Sequence, residues 1–225
     1  MIEVIPAILP KSRRDLESHL AFVKGVARVV QIDVCDGKFV PTVTWPYHKG
    51  DDDFEAILKE DQGMPYWDAF DFEIDLMTVF PEVRVEEWIQ AGAIRVLIHA
   101  ESTQDPKSLL EKIKKEGRIE AGIAVSIDYP NENLYPWIED DLVKVVQCMG
   151  IDTIGVQGNP FDPKVLEKIE DIRSRYPSVI ISVDGGVDFD SAPELVRAGV
   201  NRLVTGHTIF NSENPKAVID QLANS

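Results

Sequence analysis

Short apolar, β-branched runs alternate with helical patterns along the whole chain of 225 residues. Residues 4–9, 29–34, 70–77 and 94–99 read as four strands, and residues 121–127, 153–157, 179–184 and 202–206 as four more. Most are near-continuous hydrophobic runs, the pattern of parallel strands covered on both faces. The helices between them mark their own ends. Asp105-Pro106, Asp162-Pro163 and Asn214-Pro215 each place a capping side chain before a proline at the first helical position. After Asp162, the apolar positions Val165, Leu166, Ile169 and Ile172 share one helical face. Gly92, Gly150 and Gly199 read as helix ends. Ala91-Gly92-Ala93-Ile94-Arg95 and Ala198-Gly199-Val200-Asn201-Arg202 look like one helix-to-strand joint used twice, as a βα unit copied round a ring would give.

Eight strands with right-handed crossovers close most simply into a (β/α)8 TIM barrel of the α/β class. No Gly/Ser/Pro-rich linker divides the sequence, so residues 1–225 are expected to form a single domain. An open, doubly wound sheet is the structural alternative. The least regular stretch, residues 41–68, should hold the second helix and a loop able to shade the site. Trp45, Trp67, Trp88 and Trp137 read as packing residues, and Asp51-Asp52-Asp53 as a solvated cap ahead of a helix.

Composition narrows the function. The net charge of −16 argues against a nucleic-acid partner, because binding a phosphate backbone draws on lysine and arginine. The same charge would repel an anionic substrate, so a phosphate would have to be held by local groups such as backbone amides. There is no run of about 18 apolar residues and hence no expected membrane span. The N-terminus has no signal-peptide pattern, and two cysteines, Cys35 and Cys148, supply no disulfide framework. A reducing cytoplasm is the natural setting. No Gly-x-Gly-x-x-Gly follows a strand and no Ser/His/Asp triad is visible, so no organic cofactor is expected.

In such a barrel the last residue of each strand, and the loop after it, line the active face. Those positions hold Asp33, Asp75, His99, Asp128, Gln157, Asp184 and the Gly206-His207 pair. A lone strand-end aspartate is often only the cap of the next helix, and Asp128 reads that way. Asp33 and Asp184 differ, since each follows an apolar strand and precedes a turn containing glycine.

These residues carry a resemblance. Gln31-Ile32-Asp33-Val34-Cys35-Asp36-Gly37-Lys38-Phe39-Val40-Pro41 resembles the second-strand motif of ribulose-phosphate 3-epimerases, His-Ile-Asp-x-Met-Asp-Gly-x-Phe-Val-Pro. Glu73-Ile74-Asp75-Leu76-Met77 is similar to that family's Asp-Val-His-Leu-Met, and Val183-Asp184-Gly185-Gly186-Val187 to its Val-Asp-Gly-Gly-Ile. Gly206-His207-Thr208-Ile209-Phe210 falls where the family has Gly-Ser-Ala-Ile-Phe, and Pro6-Ala7-Ile8-Leu9 echoes Pro-Ser-Ile-Leu. The first motif is specific, whereas the Asp-Gly-Gly and Gly-x-x-Ile-Phe segments alone would be weak.

The resemblance implies a barrel that inverts a stereocentre beside the ketone of a pentulose phosphate, with a divalent metal stabilising the enediolate. Asp33 and Asp184 match the family's acid/base positions. The family's metal ligands are those two aspartates and two histidines, which correspond here to Gln31 and Asp75. The set Gln31, Asp33, Asp75 and Asp184 is all oxygen, which suits Mg²⁺ or Mn²⁺ better than Zn²⁺. The family's phosphate loop, Asn-Pro-Gly-Phe-Gly-Gly, is replaced by Gln157-Gly158-Asn159-Pro160-Phe161-Asp162. Phosphate binding then falls to Gly185, Gly186, Gly206 and His207. Ala7, which replaces a serine, is a candidate substrate contact with His99 and Gln157, and Cys35 fills core beneath the metal. A homo-oligomer is also implied, since family members commonly assemble as dimers or larger rings. Two other classes stay open on the residues themselves. One is decarboxylase, aldolase or isomerase chemistry on a phosphosugar in the same barrel. The other is a non-catalytic descendant that binds a ligand or a partner protein.

Overall fold

The computed structural model describes residues 2–48 and 53–225, so Asp51 and Asp52 of the acidic run lie outside the described residues. Eight parallel strands close into a barrel in chain order. They are β1 (Glu3–Ile8), β2 (Val29–Cys35), β3 (Asp71–Met77), β4 (Arg95–His99), β5 (Glu120–Val125), β6 (Val145–Met149), β7 (Ile180–Asp184) and β8 (Arg202–Thr205). β8 pairs back to β1, so no strand edge is left open. Around the barrel run α1 (Arg13–Val23), α2 (Asp53–Leu58), α3 (Pro81–Gln90), α4 (Pro106–Glu116), α5 (Tyr135–Glu139), α6 (Lys164–Arg175), α7 (Ala192–Ala198), α8 (His207–Phe210) and α9 (Pro215–Ala223). Among the described residues, no helix is long and apolar enough to cross a membrane.

Local chemistry explains the helix boundaries. Asp105 accepts the Ser108 amide at 3.0 Å ahead of α4, and Asn214 accepts the Ala217 amide at 3.1 Å ahead of α9. Asp162 accepts the Lys164 amide at 3.0 Å, with Pro163 between it and α6. Val165, Ile169 and Ile172 are buried along one face of α6, with Leu166 packed beside them. Gly199 ends α7 at φ 111°, a left-handed conformation that glycine adopts without a Cβ penalty.

Four expectations need correcting. The sixth strand is Val145–Met149, and residues 153–157 belong to the loop that follows it. Gly150 therefore follows a strand instead of ending a helix. It is buried so tightly that a Cβ there would stand 2.3 Å from the Gly185 carbonyl oxygen. Asp128 is exposed in a turn and caps no helix, since Leu134 precedes α5. Trp45, Trp88 and Trp137 are buried, but Trp67 is 69% exposed.

Most of the apolar mass lies between the strands and the helices. The barrel interior is more polar, because alternate strand residues point inward and here carry charges. At the N-terminal end Arg95 Nη1 lies 2.5 Å and Arg202 Nη2 2.8 Å from Glu73 Oε2. Arg202 also reaches Glu3 at 3.1 Å, and Arg95 pairs with Glu120. Glu73 is fully buried, so its charge is tolerable only because two guanidinium groups flank it. Glu73→Ala should leave both arginines under-matched and lower stability by about 3–5 kcal/mol. Urea unfolding of the variant checks this; a loss below about 1 kcal/mol would mean that water already solvates the arginines.

Candidate active site

Above the arginine layer, the same inward-facing positions bring acids and amides together. Gln31 and Asp33 come from β2, Asp75 from β3, His99 from β4, Gln147 from β6 and Asp184 from β7. Strand register sets Asp33 beside Asp75. One oxygen from each of Asp33, Asp75 and Asp184 lies within 4.8 Å of the others, and all three side chains are buried. Thr44 fixes the end of β2: its hydroxyl donates to the Asp33 carbonyl at 3.1 Å and accepts from the Cys35 amide at 2.8 Å.

Side-chain amides fill the gaps between the acids. Gln31 Nε2 donates to Asp33 Oδ1 and to Asp184 Oδ2, both at 2.9 Å. Gln147 Nε2 donates to Asp75 Oδ2 at 3.1 Å, while Ser182 Oγ donates to Gln147 Oε1 at 3.4 Å. His99 Nε2 stands 3.0 Å from Asp75 Oδ1, within ion-pair distance although poorly aligned for a hydrogen bond. His99 is thus placed behind Asp75, and its other side meets the Phe39 ring.

This crowding changes the chemistry of the acids. Burial first, and then the charges of Asp184 and Asp75, raise Asp33 well above the ordinary carboxylate range. Asp184 is pushed up to about 7, by burial and then by Asp75, with Gln31 and His99 pulling the other way. Burial works against a charged His99, but Asp75 outweighs it and the net shift is upward. The Asp33–Asp184 pair therefore keeps protons to higher pH than ordinary carboxylates do. One member can give a proton while the other takes one.

A cavity of about 260 Å³ opens above this floor. Asp33, Asp184, Met77 and Met149 reach it from below, with Ala7 beside them. Gly185, Gly186, Gly206 and His207 line it from the ends of β7 and β8. The shading segment is the loop after β6, residues 155–161. None of the described residues in 41–68 lines the cavity, so the expectation placed there is corrected. Trp45 and Phe54 of that segment pack inward instead, against Trp88. Gln157 is exposed in the β6 loop, and its Nε2 donates to the Ala7 carbonyl at 3.1 Å across the mouth. Gly186 lies at φ 68°, and a Cβ there would stand 2.5 Å from Phe161 Cα, so glycine lets the β7 turn and this loop touch. His207 is exposed and its Nδ1 lies 3.0 Å from Asn211 Nδ2. An asparagine amide nitrogen only donates, so Nδ1 accepts and the neutral ring carries its proton on Nε2.

The floor also fits a hard divalent cation. The carboxylates of Asp33, Asp75 and Asp184 converge, and Gln31 Oε1 is a buried acceptor without a hydrogen-bond partner among the described residues. Gln147 was not singled out by sequence. The misplaced sixth strand hid it, although Val145, Gln147 and Met149 fall at the alternate positions that face inward.

Comparison with known proteins agrees with this architecture. A sequence model of the "Ribulose-phosphate 3 epimerase family" matches residues 3–210. Ribulose-phosphate 3-epimerase of Bacillus subtilis is 30% identical over 231 residues, covering 100% of each chain. The protein of the same name from Schizosaccharomyces pombe is 27% identical over 226 residues, covering 99% of this chain and 93% of its own. Among solved structures, 3-keto-L-gulonate-6-phosphate decarboxylase from Vibrio cholerae superposes with a TM-score of 0.69 at 14% identity, covering 99% of this chain and 95% of that one. At that identity the likeness speaks for the fold alone.

The raised carboxylates fix the sign of a pH dependence. A buried acid that titrates higher when folded than when unfolded contributes stability below its unfolded value and loses it as pH rises through the folded one. For Asp184 that window runs from about 3.8 to about 7. Metal-free protein should therefore lose stability between pH 5 and pH 8, and Asp184→Asn should shrink that loss by about 2–3 kcal/mol. Chemical denaturation across the range checks it; an unchanged slope in the variant would mean that Asp184 is already ionised.

Proposed function

The chain belongs to the ribulose-phosphate 3-epimerase family, and we propose on that basis that it epimerises a small ketose phosphate by proton transfer between Asp33 and Asp184. The observation that carries this reading is the pairing itself. Two buried carboxylates from different strands share one amide donor at the floor of a cavity, and both are raised toward neutrality. Inverting a carbon beside a ketone needs one group to remove a proton and another to return one from the opposite side. Asp33 reaches the substrate from the β2 wall and Asp184 from the β7 wall. The protonated member of the pair is the donor, and the ionised member is the base. Inversion in the reverse sense exchanges the two roles.

A divalent cation held by Asp33, Asp75, Asp184 and the Gln31 carbonyl would stabilise negative charge developing on the sugar oxygens. Oxygen ligands favour Mg²⁺ or Mn²⁺ over Zn²⁺ in that place. His99 and Gln147 act behind the acids by holding Asp75 in position. Met77 and Met149 keep water from the floor, so that carbon receives its proton from a carboxyl group and not from bulk water.

The phosphate group is assigned to the turns after β7 and β8. Gly185, at φ 95°, and Gly186 bring backbone to the cavity, and Gly206 does the same from the neighbouring strand. His207 adds an Nε2–H donor at the mouth. Ala7 and Gln157 border the sugar on the β1 side. A decarboxylase of the kind that pairs lysine with aspartate finds less support, since no lysine lines the cavity among the described residues.

Asp33→Asn and Asp184→Asn should each slow epimerisation by at least about 100-fold. Each should also lose solvent-deuterium exchange of the C3 proton in the one epimer that the missing carboxylate deprotonates, while the other epimer still exchanges, followed by NMR across a panel of ketose phosphates. Full activity in either variant would remove it from the acid/base pair. His207→Ala should raise KM for the phosphorylated sugar several-fold with kcat little changed, because the lost contact is present in ground state and transition state alike. A fall in kcat at constant KM would instead place His207 at the reacting carbon.

A further inference from the structure

The two halves of the Gln31 amide meet different surroundings. The side chain is fully buried. Its Nε2 bridges Asp33 and Asp184, yet its Oε1 has no hydrogen-bond partner among the described residues. Gln147 is the natural contrast, because Asp75 occupies its Nε2 and Ser182 its Oε1. Gln147 is held by both ends, and Gln31 by one.

An unpartnered amide oxygen in a dry site is costly unless something else uses it. The amide is nearly symmetric in shape, and its terminal torsion is soft and roughly two-fold. Turning it over exchanges oxygen for nitrogen with almost no change in volume. What decides the orientation is the charge at the centre of the acid cluster. Against two carboxylates, N–H groups are favoured. Against a cation held by those carboxylates, the same hydrogens face positive charge and the oxygen is favoured.

We infer that Gln31 is a two-state positioning residue of the acid cluster. In metal-free protein its NH₂ cross-links Asp33 and Asp184. When Mg²⁺ or Mn²⁺ occupies the cluster, the amide reverses and offers Oε1 as a fourth oxygen ligand. This rests on reading the three aspartates as a cation site, and it adds that the site prepares itself for both states with one side chain. The acid/base pair thus stays aligned whether or not the ion is bound.

The direct test follows the Gln31 side-chain NH₂ signals of the isotopically labelled protein by NMR as Mg²⁺ is added. The signals are assigned by their loss in Gln31→Glu. Reversal predicts a large shift of both Gln31 protons as their bonds to carboxylates break, with the Gln147 amide moving far less. Calorimetric titration with Mn²⁺ and melting in chelator supply a second reading, on Gln31→Glu, which keeps oxygen but loses the donor, and on Gln31→Leu, which loses both. Both variants should melt below the parent protein without metal. They should then part company on Mn²⁺, with Glu binding at least about 10-fold tighter and Leu at least about 10-fold weaker. Unmoved Gln31 signals at saturating Mg²⁺, equal Mn²⁺ affinity in Gln31→Leu, or a parent protein that takes up neither ion would each overturn the inference. If a variant fails to fold, the NMR titration of the parent protein decides alone. None of these readings depends on turnover, so failure of the epimerase reading would show separately in the deuterium-exchange assay.

Discussion

Carboxylates held within 4.8 Å of one another in a buried floor cannot all stay ionised without compensation, and the rest of the site answers that constraint. Asp33 and Asp75 are adjacent because β2 and β3 pair in register, and Asp184 reaches them because the sheet closes into a ring. The fold therefore creates the repulsion. The side chains packed round the acids then moderate it: two amides donate into the cluster, and one imidazole flanks Asp75. What they leave uncompensated appears as protons retained near neutrality.

The barrel interior holds a fourth buried carboxylate, and the contrast is instructive. Glu73 lies two residues before Asp75 on the same strand, yet it meets two arginines whose charge never leaves. That arrangement is rigid and chemically silent. Asp33 and Asp184 are instead balanced by things that come and go: a proton, an amide that can reverse, or a cation. One end of the barrel uses fixed counter-charges to hold its shape. The other uses exchangeable ones, and only exchangeable ones can take part in moving a proton to and from a sugar.

Much of this was legible in the sequence, for physical reasons that can be named. Buried parallel strands need long apolar runs, so seven of the eight strands stand where those runs lie. The sixth was displaced because Gln147 interrupts its run and Gly150 resembles a helix end; the inward-facing glutamine that hides the strand is also what makes it matter. Asp33 and Asp184 were visible as acids closing apolar strands before glycine turns. The pairing of Glu73 with Arg95 and Arg202 was not, since its partners lie far along the chain and meet only when the ring closes. Nor does any one-letter code say which end of the Gln31 amide faces the acids.

The charge count of the floor links its two states. Asp75 favours the charged form of His99 against its burial, and a divalent cation would offset the negative charge that the three aspartates bring together. Without the ion, retained protons and the Gln31 N–H groups take over part of that work, so the acids remain together instead of springing apart. Relative to the histidines that the sequence motifs lead one to expect, glutamine and aspartate in these places exchange neutral nitrogen donors for oxygen ones, with His99 beside Asp75 one strand further round. The cluster then binds an ion through oxygen alone, while the imidazole tunes the negative charge that the ion meets. In an acidic protein whose cavity is lined by neither lysine nor arginine among the described residues, that balance is what would let a negatively charged sugar approach the floor at all.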